Sequence, residues 1–152
     1  MDDKNDMKAI DILLIEDNPG DVRLTREAMK EGKIKNRLHV ARDGEEAIDF
    51  LYMRGKFKDA PSPEIILLDL NLPRIDGREV LKRIKSDDAL KRIPVIVLTT
   101  SKAEEDIFKS YDLHANCYIV KPVDMTQFIK KIQMIEDFWF TIVKLPSDAD
   151  SI

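Results

Sequence analysis

The chain has one cysteine, Cys117, and two histidines, His39 and His114, among 152 residues. A single cysteine forms no internal disulfide and no Cys-x-x-Cys metal or redox motif. Two histidines far apart in sequence give a His-rich metal site or a Ser/His catalytic centre little to work with. The five glycines, at 20, 32, 44, 55 and 77, form neither a GxGxxG turn nor a P-loop, which excludes both common nucleotide cradles. No apolar run approaches the ~20 residues that a membrane span needs. The opening "MDDKNDMKAID" has no apolar signal-peptide core, so the expected location is cytoplasmic, away from the membrane. Basic charge is not in excess either. The formal net charge is −4, which disfavours nonspecific nucleic-acid binding as the main activity.

What is present is alternation. Five short apolar runs recur: "IDILLIED" (10–17), "RLHVA" (37–41), "EIILLDL" (64–70), "IPVIVLTT" (93–100) and "CYIVKP" (117–122). The first, third and fourth are continuously aliphatic, the pattern of parallel strands covered on both faces. Amphipathic helical patterns separate them. One runs from Asp21 to Gly32. A second starts at Asp43 and sets Ala47, Ile48 and Leu51 on one face. "DGREVLKRIK" groups Val80, Leu81 and Ile84. A fourth, from about Ala103 to Leu113, groups Ile107, Phe108 and Tyr111. The last starts near Asp124 and runs to about Lys144. Five strand–helix alternations predict an α/β fold, a parallel sheet with helices on both faces and right-handed crossovers. The length suits one domain, expected over 10–145, between a flexible N-terminus (1–9) and a C-terminal tail (146–152). The prolines and charges of "RGKFKDAPSP" (54–63) read as a surface loop.

The stretch "IILLDLNLPRIDG" (65–77) places Asp69 directly after four large aliphatic residues. A buried lone carboxylate is costly unless it is paired or bound to a cation. In open α/β sheets, ligands bind outside the carboxyl ends of the strands. The polar residues that end these strands are Glu16 and Asp17, Asp69, Thr99 and Lys121, so four strands deliver polar groups to one edge. Three acids there repel one another, and a hard divalent ion such as Mg²⁺, which takes oxygen ligands, resolves the repulsion. Taken singly, Asp69 reads as a solvated loop acid and Thr99 as an ordinary strand residue. Convergence at one edge argues against that for the set. Lys121 precedes Pro122, and it can balance the acids through a salt bridge to Asp69 or grip a phosphoryl oxygen.

At these residues the sequence resembles the receiver domain of two-component response regulators. The resemblance spans roughly Ile10 to Ile132. It rests on the "ED" pair at 16–17, "LLDLNLPRIDG" around Asp69, "VLTT" leading to Thr99 and Thr100, and "YIVKP" at 118–122. Spacings of 30 residues from Asp69 to Thr99 and 22 from Thr99 to Lys121 agree with it. The resemblance implies a flavodoxin-like (βα)5 fold, a doubly wound five-stranded sheet of order 2-1-3-4-5. It implies Asp69 as phosphoacceptor from a phosphohistidine on a sensor histidine kinase. Glu16, Asp17, Asp69 and the backbone carbonyl of Asn71 would hold Mg²⁺, and Lys121 and Thr99 would each bind a phosphoryl oxygen. Tyr118 falls where the family carries an aromatic switch that turns inward as Thr99 shifts. Its alternative is an aromatic packed at the surface. Thr100 is bulkier than the small residue many members carry, and Ser101 and Asn71 occupy positions that tune hydrolysis.

The loop at 54–63 and the last helix resemble stand-alone regulators of phytochrome-type kinases. Phe128, Ile132, Ile135, Trp139 and Ile142 follow a 4-3-4-3 spacing, with Phe140 alongside, on an extended C-terminal helix. At 20 residues such a helix is ~30 Å long and outruns the sheet. Its apolar second half predicts a homodimer interface. The alternative is that this half folds back on its own domain. Two other functions compete with the regulator. A Mg²⁺-dependent phosphatase of the haloacid-dehalogenase type would use Asp69 as nucleophile, but Asn71 stands where that chemistry needs a second acid. A receiver retained only for dimerisation would not need the full set of Glu16, Asp17, Asp69, Thr99 and Lys121. The expectation is therefore a regulator without its own output domain, catalysing nothing beyond its own phosphorylation and dephosphorylation.

Overall fold

The computed structural model describes residues 9–31, 34–109, 115 and 117–134, with side chains through Lys131. Strand β1 (Ile10–Ile15) leads into α1 (Pro19–Lys30), β2 (Asn36–Ala41), α2 (Gly44–Leu51), β3 (Ile65–Asp69), α3 (Gly77–Ser86), β4 (Val95–Thr99), α4 (Lys102–Lys109), β5 (Cys117–Val120) and α5 (Met125–Met134). All neighbouring strands pair in parallel, in the order β2-β1-β3-β4-β5. This is the flavodoxin-like order that the receiver-domain resemblance implied.

Apart from Asp11, Asp69 and Thr99, the central strands β1, β3 and β4 are aliphatic because both faces are covered. Leu13, Ile15, Ile66, Leu68, Val95 and Val97 point into a core closed by Phe50 and Leu51 of α2, Val80, Leu81 and Ile84 of α3, and Phe108 of α4. The alternate residues Ile12, Leu14, Ile65, Leu67, Ile96 and Leu98 face the opposite core, closed by Met29 of α1 and Phe128 of α5. Period-two alternation splits one apolar run between two cores. Burial of each large aliphatic stabilises the fold by roughly 1.5–3 kcal/mol before entropic costs.

Several helix limits differ from the sequence reading for local reasons. Helix α1 begins at Pro19 rather than Asp21, because Asn18 Oδ1 accepts the Asp21 N–H at 3.0 Å and Pro19 suits the first helical position. The 54–63 connection contains one 3-10 turn, Gly55–Phe57, and the Phe57 ring stands edge-on to Phe50 at 5.3 Å. Ile107 does not share the inner face of α4 with Phe108. It is 61% exposed, and the helix turns Glu105 and Phe108 inward instead. Tyr111 lies outside the described residues. Ala9, assigned to the flexible N-terminus, is buried.

One assignment to the dimer interface is corrected. Phe128 is 0% exposed and belongs to the core between α5 and the sheet. The stripe's first residue covers the domain's own sheet, so Phe128 has no surface left for a partner. Ile135, Trp139, Phe140 and Ile142 lie outside the described residues, as does the side chain of Ile132. Among the described residues no helix is long and apolar enough to cross a membrane.

Candidate functional site

Parallel register brings the strand ends together. Ile15 pairs with Leu68, Asp69 with Leu98, and Thr99 with Val120. Glu16, Asp69, Thr99 and Lys121 therefore emerge side by side at the carboxyl edge. Glu16 is 1% exposed and Asp69 2%, while Asp17 is open to solvent. One carboxylate oxygen from each of Glu16, Asp17 and Asp69 falls within 4.8 Å of the other two.

Lys121 holds this acid cluster together. Its Nζ lies 3.2 Å from Glu16 Oε1, 3.2 Å from Asp69 Oδ2 and 2.9 Å from Asp21 Oδ2. The Lys121 N–H donates to the Thr99 carbonyl at 2.8 Å, and the Lys121–Pro122 peptide is cis. Burial works to lower the Lys121 pKa. The carboxylates of Asp21, Asp69 and Glu16 outweigh it and hold the ammonium above the ordinary lysine value. Glu16 is pushed up to about 8, first by burial and then by the Asp69 carboxylate beside it, with Lys121 opposing.

The backbone contributes too. The Asn71 N–H donates to Asp69 Oδ1 at 3.1 Å, turning the carboxylate toward the edge. The Asn18 N–H donates to Glu16 Oε2 at 3.4 Å. The Thr99 hydroxyl donates to the Ser101 carbonyl at 3.2 Å rather than to an acid. Tyr118 is half-buried. Its ring is edge-on to Phe108 at 5.8 Å, and Lys109 Nζ lies over it at 5.4 Å.

Sequence reasoning named Glu16, Asp17, Asp69, Thr99 and Lys121, and the structure gathers all five at this edge. It missed Asp21, whose first-turn position in α1 reads as helix capping. It also missed Glu104 of α4, whose carboxylate accepts the Thr100 N–H at 2.7 Å and the Asn71 amide at 3.1 Å. The signal available for Glu104 was the Ser-x-x-Glu spacing from Ser101, which on its face marks only a helix start. The donor set of Glu16, Asp17 and Asp69 is all oxygen and carries excess negative charge, which fits a hard divalent cation.

Residues 12–133 match the family described as the response regulator receiver domain. Response regulator Rcp1 of Synechocystis sp. is 48% identical over 146 residues, 96% of this chain and 98% of Rcp1. The structure of the bacteriophytochrome response regulator AtBRR superposes with a TM-score of 0.81 at 46% identity, covering 87% of this chain and 96% of that one. The phosphorylated cyanobacterial phytochrome response regulator RcpA superposes at 0.70 with 50% identity, over 88% and 95% of the two chains. Rcp1 itself has been solved in a Mn²⁺-bound form, which superposes at 0.68 with 49% identity over 86% and 94%. A family match over most of the chain, relatives near half identical, and acids gathered where strand ends converge lead to one conclusion: the chain belongs to the response regulator receiver family.

Proposed function

We propose that the protein accepts a phosphoryl group on Asp69 from a sensor histidine kinase, in a Mg²⁺-dependent reaction, and relays the signal through protein contacts. The observation that carries this is the single Lys121 ammonium within 3.2 Å of both Glu16 and Asp69, at the edge where Asp17 adds a third acid. A carboxyl group held beside a cation is a nucleophile already placed, and phosphoryl transfer depends mainly on positioning and charge neutralisation.

Asp69 attacks the phosphorus of the kinase phosphohistidine. A new O–P bond forms as the N–P bond breaks, and the imidazole leaves with the electron pair. Lys121 keeps its ammonium at the edge and takes a phosphoryl oxygen. The Thr99 hydroxyl exchanges the Ser101 carbonyl for another phosphoryl oxygen. Glu16, Asp17, Asp69 and the carbonyl of Asn71 would hold Mg²⁺, which supplies neutralisation of phosphoryl charge. The Thr99 movement makes room for Tyr118 to turn, altering the face formed by α4, β5 and α5. The chain catalyses nothing beyond its own phosphorylation and dephosphorylation.

The names of AtBRR and RcpA support a phytochrome-type kinase as partner, and the near-complete match to Rcp1 supports a stand-alone regulator. With Phe128 committed to the core, a homodimer would use the remaining stripe Ile132, Ile135, Trp139, Phe140 and Ile142.

Intact-protein mass after incubation with Mg²⁺ and acetyl phosphate tests the transfer. The expected result is one phosphoryl group, lost with hydroxylamine and absent from folded Asp69→Asn. Equal labelling of Asp69→Asn would overturn the assignment.

A further inference from the structure

Ser101-Lys102-Ala103-Glu104 opens α4 with the spacing of a capping box. Ser101 Oγ accepts the Glu104 N–H at 3.1 Å. Glu104 Oε1 then reaches one residue beyond the usual target and accepts the Thr100 N–H at 2.7 Å. The same reach occurs at α2, where Glu46 Oε1 accepts the Arg42 N–H at 2.9 Å, so helix capping accounts for that bond.

Capping does not account for the second one. Glu104 Oε2 accepts the side-chain amide of Asn71 at 3.1 Å, joining α4 to the segment two residues past Asp69. With Leu70, Asn71, Thr100 and Ser101, Glu104 lines a cleft of about 430 Å³ beside the carboxyl edge. One anionic side chain thus occupies two hydrogen-bond donors, one on each side of that cleft. Both donors are of the kind an anionic phosphodonor would meet there.

We propose that Glu104 is a positioning residue that latches the resting state. Its carboxylate ties Thr100 to Asn71 and, by like charge, opposes the arriving phosphodonor, so phosphoryl transfer proceeds as the latch releases. This rests on the proposed phosphoacceptor role of Asp69. The latch sits in the first turn of the helix that carries Phe108, and Phe108 stands edge-on to Tyr118. Release therefore loosens the helix that packs on the aromatic pair.

The test compares wild type, Glu104→Gln and Glu104→Ala for their initial rate of labelling by acetyl phosphate with Mg²⁺, followed by intact mass. Glu104→Gln keeps an acceptor for the Thr100 N–H and removes the charge. Glu104→Ala removes both. Both variants should be labelled about two- to fivefold faster than wild type at low salt, the size of effect that one exposed charge exerts. The ratio should fall toward one at ~1 M salt, where the Debye length is ~3 Å. Glu104→Gln at the wild-type rate, with only Glu104→Ala altered, would leave Glu104 as a cap and overturn the latch. A wild type that takes no phosphoryl group from acetyl phosphate or from a histidine kinase would overturn the Asp69 reading and the latch together. A labelled wild type with no faster variant overturns the latch alone.

Discussion

Gly77 is where α3 begins, directly above the end of β3. A Cβ there would lie 2.6 Å from the Asp69 carbonyl oxygen and 2.8 Å from Leu70 Cα. Both are backbone atoms and cannot step aside as a side-chain tip can. Its N–H also donates to the Leu70 carbonyl at 3.2 Å. Glycine is thus required by close approach, and the strand carrying Asp69 is what a larger residue would displace. Gly77→Ala should destabilise the fold by about 1–3 kcal/mol through overpacking. It should also lower the labelling rate more than an equally destabilising change far from the edge. Urea unfolding and mass-based labelling on one preparation check both parts. At this scale much was legible: Asp69 breaks an aliphatic run, and the "ED" pair and Lys121 end theirs. Asp21 was not legible, because its bond to Lys121 joins residues 100 apart in sequence. The direction of the Thr99 hydroxyl was equally hidden, since a side-chain rotamer leaves no trace in residue order.

Elements carry a different lesson. The alternation of runs located all five strands: burial on two faces makes β1, β3 and β4 almost continuously apolar, while the half-covered edge strands β2 and β5 show as shorter, mixed runs. Helix starts were legible to within a turn, and Asp43 at α2 accepts the Glu46 N–H at 2.8 Å as its position suggested. Helix faces were less so. On α4, Ile107 and Phe108 are adjacent in sequence, and rotation of the helix about its axis decides that only Phe108 is buried. On α5, the stripe containing Phe128 suits a partner helix and a sheet equally well, and the sheet takes its first turn. Phe128→Ala should therefore cost about 3–5 kcal/mol of unfolding free energy, the range for a large aromatic removed from a core. Because Phe128 packs within its own domain, the loss should not depend on protein concentration. Denaturation across a hundredfold concentration range checks this, and a cost that vanishes on dilution would return Phe128 to an interface.

Across the whole molecule the sheet has two polar ends of opposite character. At the carboxyl edge several acids share one lysine. At the other end Asp11, the second residue of β1, is satisfied by its neighbours. Arg37 Nε lies 2.9 Å from Asp11 Oδ1 and Arg37 Nη2 3.1 Å from Oδ2, His39 Nε2 lies 2.9 Å from Oδ1, and the Asp11 N–H donates to Glu64 Oε1 at 2.7 Å. The hydrogen bond from Arg37, helped by His39 and opposed by burial, holds the Asp11 carboxyl below the usual carboxylate range. A depressed folded pKa stabilises the fold at pH above the unfolded value and loses that contribution as pH falls through the folded value. Wild type should therefore exceed Asp11→Asn in urea midpoint at neutral pH, and the two should converge as pH drops below 3.8, the ordinary Asp value. A gap that widens on acidification would reverse the sign of this account.

The amino-acid sequence alone determined the alternating α/β architecture, the strand that carries Asp69 and the set of residues at its edge. Those features are local: an apolar run, its polar end and the spacing to the next one are written in consecutive residues. Tertiary structure decided which acids Lys121 touches, which face of α5 is buried and how Glu104 comes to hold Asn71. Each of these depends on the distance between segments far apart in the chain. Strand register and helix rotation set such distances only when the sheet and its two cores close together.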